Sequence, residues 1–512
     1  MMGGDDIMER FMFLDGGQGI ILDFDKVMQT MVASESNVQE LELGKKKKSQ
    51  EEADRISCLH DAIIYHIFSF VSTIDVVQTS ILARRWRHLW TSVPTLDFDD
   101  DEFSIANGED EFVHFVNKVQ SCYKAQQIQR YHLSIKQARN SNFLETWVRF
   151  AVEHNVQELY LDLPHGRPFE VSFCQSVRVL KLHGDLKLPA SGCFSSLEHL
   201  SLLGVQLTND NGILDVTSEH YPLLRSCSLK SCMGLNCLNI NCSLLEHLDV
   251  ENCFDLDQLH VSAGKLRFLS VQSSFTYGID TGWVEIAAPS LQTFEWLDYI
   301  TDNFSIGNFT CLKSAHTSLV FHYHPEKKES YMKNARKFLH HLACAETLHV
   351  EMPCLWGLHS NKELLEGLST KLFNLKHLTL LVSLDDHVLR GVSCLIRSCS
   401  NLEILHIHTI DEHIQEELNN SFPDLSHFDQ RESWSYQRRP LDHLSEAKIY
   451  GFRGKEHEIE FMQFLLEHAI TLKRMIILFS GQVFVDQVMK TQMAEKLMKF
   501  TKASPDAVVS CP

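Results

Sequence analysis

From about residue 150 onward the chain keeps rewriting one phrase: an apolar residue, two variable ones, an apolar, one variable, an apolar, or L-x-x-L-x-L. Clear copies are VQELYL (156–161), VRVLKL (177–182), LEHLSL (197–202), LEHLDV (245–250), LRFLSV (266–271), LQTFEW (291–296), LKHLTL (375–380) and LEILHI (402–407). With the middle apolar residue as marker, Leu159, Leu180 and Leu200 lie 21 and 20 positions apart, and Leu248, Leu269 and Phe294 lie 21 and 25 apart. One copy is too short to bury its own apolar stripe, so the copies must stack and share a core.

The period is that of leucine-rich repeats. Each coil then lays one strand beside its neighbour's, the leucines point inward, and the intervening side chains form an open, curved face suited to binding. On that face the phrase places Tyr160, Lys181, Ser201, Asp249, Ser270, Glu295, Thr379 and His406, a polar set of mixed charge. Weaker copies, LNCLNI and LDQLHV, put Leu238 and Leu259 halfway between the main ones, which predicts that both sides of each coil are extended there. Within 310–370, YMKNARKFLHHLACAETLHV and KELLEGLSTKL read as helical, on the outer side of coils. From Leu441 the pattern changes to strand (Ala447 to Tyr450), glycine turn, helix (Glu458 to His468) and strand (Met475 to Phe479), a small α+β cap for the open end of the solenoid.

Ahead of the repeats stands DRISCLHDAIIYHIFSFVSTIDVVQTSILARRWRHLW (54–90). Ile63, Ile64, Ile67, Phe68, Phe70 and Val71, then Val76, Val77, Ile81, Leu82, Trp86, Leu89 and Trp90, recur at helical spacing and predict two or three short amphipathic helices. Thr73-Ile74-Asp75 supplies the expected turn and N-cap between them. Roughly 40 residues are too few for a self-sufficient core, so a partner is expected to cover part of this surface; local core alone is the competing reading. Residues 1–53, ending in a lysine run at Lys45 to Lys48, show no sustained period and read as mostly disordered, and the run is either a solvated stretch or a nuclear address. The acid-rich segment 97–112 reads as a solvated connector with a small strand at Leu96 to Phe98.

With 47 basic against 67 acidic residues, a net charge of −20 disfavours a nucleic-acid or anionic-membrane surface. The acidic N-terminus and the scattered cysteines point to a reducing interior, cytoplasm and/or nucleus, and no apolar run is long enough to span a bilayer. The linear signatures GxxxxGK[ST], HExxH and G-x-S-x-G are missing, so no catalytic residue is assigned. Cys227, Cys232, Cys237 and Cys242 stand five apart, a spacing better explained by buried thiols at recurring repeat positions than by zinc, and no metal or cofactor is expected. The 28 histidines, including the pairs His322/His324 and His340/His341, read mostly as surface or strand-edge residues. Arg84, Arg85 and Arg87 beside Trp86 read as helix-end charge and salt-bridge partners of the acidic connector.

D-R-I-S-x-L-x-D-x-I-I-x-x-I-x-S-F, followed by S-I-L-A-R-R-W-R-H-L-W-x-S-V-P-x-L-D-F-D, resembles the F-box of the plant F-box/leucine-rich-repeat/FBD proteins. SEAKIYGFRGKEHEIEFMQFLLEHAITLKRM resembles their FBD domain, and the repeats lie in the expected order between the two. The resemblance implies an α/β architecture: disordered 1–53, an all-helical F-box (54–96), the connector (97–112), irregular leucine-rich repeats (113–430), an FBD cap (431–505) and a tail (506–512). It further implies that the F-box docks on a Skp-type adaptor, which links it to a cullin and a RING protein. Leu59, Ile63, Ile64, Ile67, Phe70, Val76, Leu82 and Trp86 would contact the adaptor or hold the helices that do, with Leu89 and Trp90 turned toward the repeats. The repeat face would hold a protein for ubiquitylation. His60 departs from the family, which has proline there, at an expected cost of about 0.5 to 1 kcal/mol if the position opens the helix. An interaction scaffold outside the ubiquitin machinery is the alternative, and an enzyme hidden in the repeats a third class.

Overall fold

A computed structural model describes residues 59–81, 85–103, 110–136, 143–163, 169–170, 175–184, 186–187, 194–207, 212–276, 282–299, 303–318, 337–351, 372–382, 384, 389, 392–393, 395–396, 398–410, 441–480 and 487–511. The chain divides into two compact units, Met1–Gln157 and Glu158–Pro512.

The first unit opens with helix α1 (Asp61–Phe68), α2 (Thr73–Gln78), which runs into a 3₁₀ turn, and α3 (Trp86–Leu89). Strand β1 (Thr95–Asp99) follows and pairs in parallel with β2 (Arg130–Ser134), with α4 (Asp110–Cys122) between them and α5 (Leu144–Glu153) after. β1 is the small strand expected at Leu96 to Phe98, whereas the end of the segment read as a solvated connector is the start of α4. The strand forms because the acids alternate with apolar residues: Leu96 and Phe98 are buried while their acidic neighbours occupy the other side of the strand. Asp100 is itself buried, and its carboxylate accepts the Lys136 amide at 2.9 Å. Phe98, Phe115, Tyr131 and Trp147 form the unit's core, and the Trp147 indole donates to Asn117 at 2.8 Å.

In the second unit parallel strands follow one another from Glu158–Asp162 to Val508–Ser510, each paired with the next. The marker residues stand in register: Leu159, Leu180, Leu200, Cys227, Leu248, Leu269, Phe294, Ala315, Leu348, Leu378, Leu405 and Ala447 form one row of cross-strand partners, all buried. Cys227 and Ala315 hold the row where the leucine phrase breaks. A second parallel sheet, Ile213–Thr217, Cys237–Asn241, Gln258–Ser262, Trp283–Ala287 and Asn303–Ile306, takes up the half-period copies and pairs Leu238 with Leu259.

Tight corners close the coils. Ser231, Asn252 and Ser273, each just past a main strand, have φ of 52°, 55° and 45°. That left-handed step aims each amide at the next coil, onto the carbonyls of Glu251, Gln272 and Leu297. Cys232 and Cys253 then turn inward and direct their thiols at the Leu202 and Leu229 carbonyls. Cys227, Cys242 and Cys399 are also buried, and Cys237 is half-buried; among the described residues none of them is in a disulfide.

The helical reading of YMKNARKFLHHLACAETLHV holds only in part: 337–341 is helical, but the LHV segment belongs to strand Thr347–Glu351, because Leu348 and Val350 continue the repeat alternation. KELLEGLSTKL falls almost wholly outside the described residues, as do residues 1–58 with the Lys45 to Lys48 run, and both His322 and His324. The tail forms strand Glu446–Phe452, helix Glu456–His468 and strand Arg474–Phe479, as the pattern predicts, and these strands continue the same parallel sheet rather than starting a separate layer. Buried Glu458 fixes this corner by accepting the amides of Arg453, Gly454 and Lys455 at 2.9, 2.8 and 3.1 Å. No helix among the described residues is long and apolar enough to cross a membrane.

Candidate functional site

Helix α1 presents two different sides. Ile64 and Phe68, four apart, are buried, and Phe68 meets the ring of Trp86 edge-on at 5.8 Å. Ile63 and Ile67 recur at the same spacing elsewhere on the helix, with Leu59 before it and Phe70 just past its end; Leu59 and Ile67 are half-buried, whereas Ile63 is 48% and Phe70 70% exposed. Ile81, which ends the 3₁₀ turn after α2, is 50% exposed and was not among the expected site residues, although its apolar spacing was visible. Val76 and Trp86 are core, as are Leu89 and Trp90, and Leu82 lies outside the described residues.

The local chemistry explains why the helices hold this pose. His60 is not the first helical residue but the N-cap of α1, at φ −66° and ψ 143°, and its Nδ1 accepts the Ala62 amide at 3.2 Å. The expected cost of losing proline at a first helical position therefore does not apply; the imidazole satisfies an amide that proline would leave open. The N-cap of α2 is Ser72, not Thr73, and it accepts from Asp75 at 3.4 Å. Thr73 is buried instead, its hydroxyl accepting the Asp97 amide at 2.7 Å and tying α2 to β1. Arg85 pairs with Asp61, at the opposite end of the block from the acidic segment; the side chains of Arg84 and Arg87 are outside the described residues.

The face residues expected from the repeat phrase do fall in one cross-strand row: Tyr160, Lys181, Ser201, Ser228, Asp249, Ser270, Glu295, His316, His349, Thr379, His406 and Lys448. Lys181 is exposed, with its ammonium 4.6 Å from the centroid of the Tyr160 ring. Ser201, Asp249, Glu295, Thr379 and His406 are half-buried. Ser270 is 1% exposed, beneath the Gln272 amide that donates to its hydroxyl at 2.9 Å, so it offers no surface. Sequence reading missed Ser228, His316, His349 and Lys448, because SCSL, SAHT and TLHV carry too few leucines to stand out.

Charge along the face is matched from coil to coil. Lys230 bonds Asp249 at 3.1 Å and Glu251 at 2.7 Å, and Arg225 reaches Glu246 at 2.9 Å. Further along, histidines take over. His316 stacks on His349 at 4.1 Å, and its Nε2 is 3.2 Å from a Glu351 oxygen. His377 meets His406 at 3.4 Å, and His408 stacks on Tyr450 at 4.3 Å. Burial holds His377, His406 and His408 below the ordinary imidazole range and pushes His349 down to about 4, with His316 adding to the effect. Glu446, bonded by Lys448 at 2.7 Å and flanked by Arg474, stays below the usual carboxylate range.

The At1g61320/AtMIF1-type LRR domain profile matches residues 117–503, and the F-box domain profile matches residues 56–97. The chain belongs to the plant F-box/leucine-rich-repeat/FBD family. Its similarity to Arabidopsis thaliana proteins runs nearly end to end. A putative F-box/FBD/LRR-repeat protein, At4g03220, is 29% identical over 484 residues, covering 89% of this chain and 95% of the relative. A putative F-box/LRR-repeat protein, At3g18150, is 27% identical, covering 85% and 88%, and a putative FBD-associated F-box protein, At5g50270, 26%, covering 83% and 96%. The LRR profile runs through the segment read as an FBD cap, in keeping with the sheet that this F-box/LRR protein continues through it.

Proposed function

We propose that this F-box protein is a non-catalytic substrate receptor of a Skp–cullin–F-box ubiquitin ligase. The observation that carries the reading is the apolar side of α1, where Ile63 stands in water, together with Phe70 just past the helix end and Ile81, although the opposite side of the same helix is core. Large aliphatic and aromatic side chains left exposed at helical spacing are suited to a partner helix or groove. A Skp-type adaptor is the partner that an F-box domain implies, and through it a cullin and a RING protein would bring the ubiquitin-charged conjugating enzyme.

The repeat face would hold the target. Its contribution to rate is positional: holding a target beside the conjugating enzyme raises effective concentration and needs no reactive side chain in this chain. The scaffold alternative drew its support from His60, and that support falls away because His60 caps the helix.

Co-purification of the full chain with a purified Skp-type adaptor tests the reading, with Phe70→Ala and Ile63→Ala alongside. Retention of the adaptor by the wild type and its loss from the folded double variant is expected. Absence of adaptor from the wild type, or binding indifferent to both changes, would overturn it.

A further inference from the structure

His316 and His349 sit side by side on neighbouring strands, and Glu351 lies two residues beyond His349 on the same face. One ligand-capable atom from each of the three lies within 4.8 Å of the other two. His316 and Glu351 are already 3.2 Å apart. Two donors bound to a tetrahedral zinc ion at 2.0–2.1 Å stand about 3.4 Å from each other, so this pair needs almost no adjustment.

The third donor carries the unexplained feature. His349 Nε2 is buried and has no hydrogen-bond partner among the described residues, an arrangement that costs free energy unless something else occupies the nitrogen. Its ring lies 4.1 Å from that of His316 with 21° between the planes, so the two imidazoles stack face to face. Rotation of one imidazole about its Cβ–Cγ bond would turn it toward a shared ion.

We infer that His316, His349 and Glu351 form a binding site for a zinc-type divalent transition ion on the repeat face. Two neutral imidazoles and one carboxylate suit that class of ion, whereas magnesium and calcium prefer all-oxygen shells. The fourth position stays open to water or to a donor from a bound partner. The ion also has a structural role at this point. His316 and Glu351 are 35 residues apart in sequence, against 21 for Arg225 and Glu246, so it clips together two strands joined by a longer connection than that between the Arg225 and Glu246 coils. Ion binding requires no adaptor or target, so its failure and the failure of the ligase reading are separate results.

The test uses the full chain, stripped with a chelator and titrated with zinc chloride by calorimetry, with cobalt(II) absorption as a second probe. One saturable site is expected, weakened at least about tenfold in His349→Gln and in Glu351→Gln and unchanged in His377→Gln, with tetrahedral cobalt bands and no thiolate charge-transfer band. Equal thermal unfolding of the metal-free variants shows that each is folded; two independent ligand changes keep the test decisive if one of them is not. No saturable site, a site surviving both changes, or a thiolate band marking cysteine ligation would overturn the inference.

Discussion

Phe70 and Trp86 are both aromatic members of the F-box, and the structure leaves Phe70 exposed and buries Trp86. A phenylalanine side chain carries about 200 Å² of apolar surface, of which 70% is exposed here, leaving about 140 Å² for a partner to cover. At about 25 cal/mol per Å² that is at most about 3.5 kcal/mol, and truncation of a comparable interface anchor costs about 2 kcal/mol, or about 30-fold in Kd. Phe70→Ala should therefore weaken adaptor binding by about 30-fold while leaving folding stability within about 0.5 kcal/mol of wild type. Trp86→Ala should do the reverse in origin: Trp86 is buried against Phe68, so its removal costs about 3–5 kcal/mol of folding and loses adaptor only because the helices come apart. Urea denaturation followed by circular dichroism, run beside adaptor titration, separates the two. A Phe70→Ala protein that unfolds early, or a stable Trp86→Ala protein that still binds fully, would refute this division.

Other consequences follow from single contacts. His60→Ala removes the α1 cap and should cost about 1 kcal/mol in urea denaturation, whereas His60→Asn should retain most of it. Glu458→Ala strips three amides of their acceptor and should destabilise by about 2–3 kcal/mol or more by the same assay, with Glu458→Gln intermediate. His377 and His406 have folded pKa values below the unfolded 6.5, so the unfolded chain takes up protons first on acidification. Their contribution to stability is full above pH 6.5 and declines as pH falls below it. Denaturation midpoints measured across that window should fall less steeply in His406→Gln than in wild type.

Much of the repeat body was legible because the phrase L-x-x-L-x-L encodes burial directly: the register of Leu159, Leu180 and Leu200 repeats the spacing of the sequence. The half-period strands were visible for the same reason. What escaped notice lacked leucine. Ala315 keeps the core row with a methyl group, so SAHT carried no signal, and His316 and His349 entered the face unseen. In the acidic segment the strand at Leu96 and Phe98 was legible from alternation, whereas the start of α4 at Asp110 was hidden among the acids. The F-box helices were clear from period, but which side of α1 is core depends on contacts from Trp86, which spacing alone does not specify. Ser270 fitted the face pattern, yet Gln272 covers it, a matter of side-chain reach rather than of register.

The most direct test of the ligase reading is isothermal titration of the intact full chain with a purified Skp-type adaptor at several temperatures. A saturable one-to-one complex is expected, with a negative heat-capacity change marking the burial of the apolar side of α1. A flat titration at micromolar concentrations, with Phe70 and Ile63 still exposed and the chain folded, would contradict it.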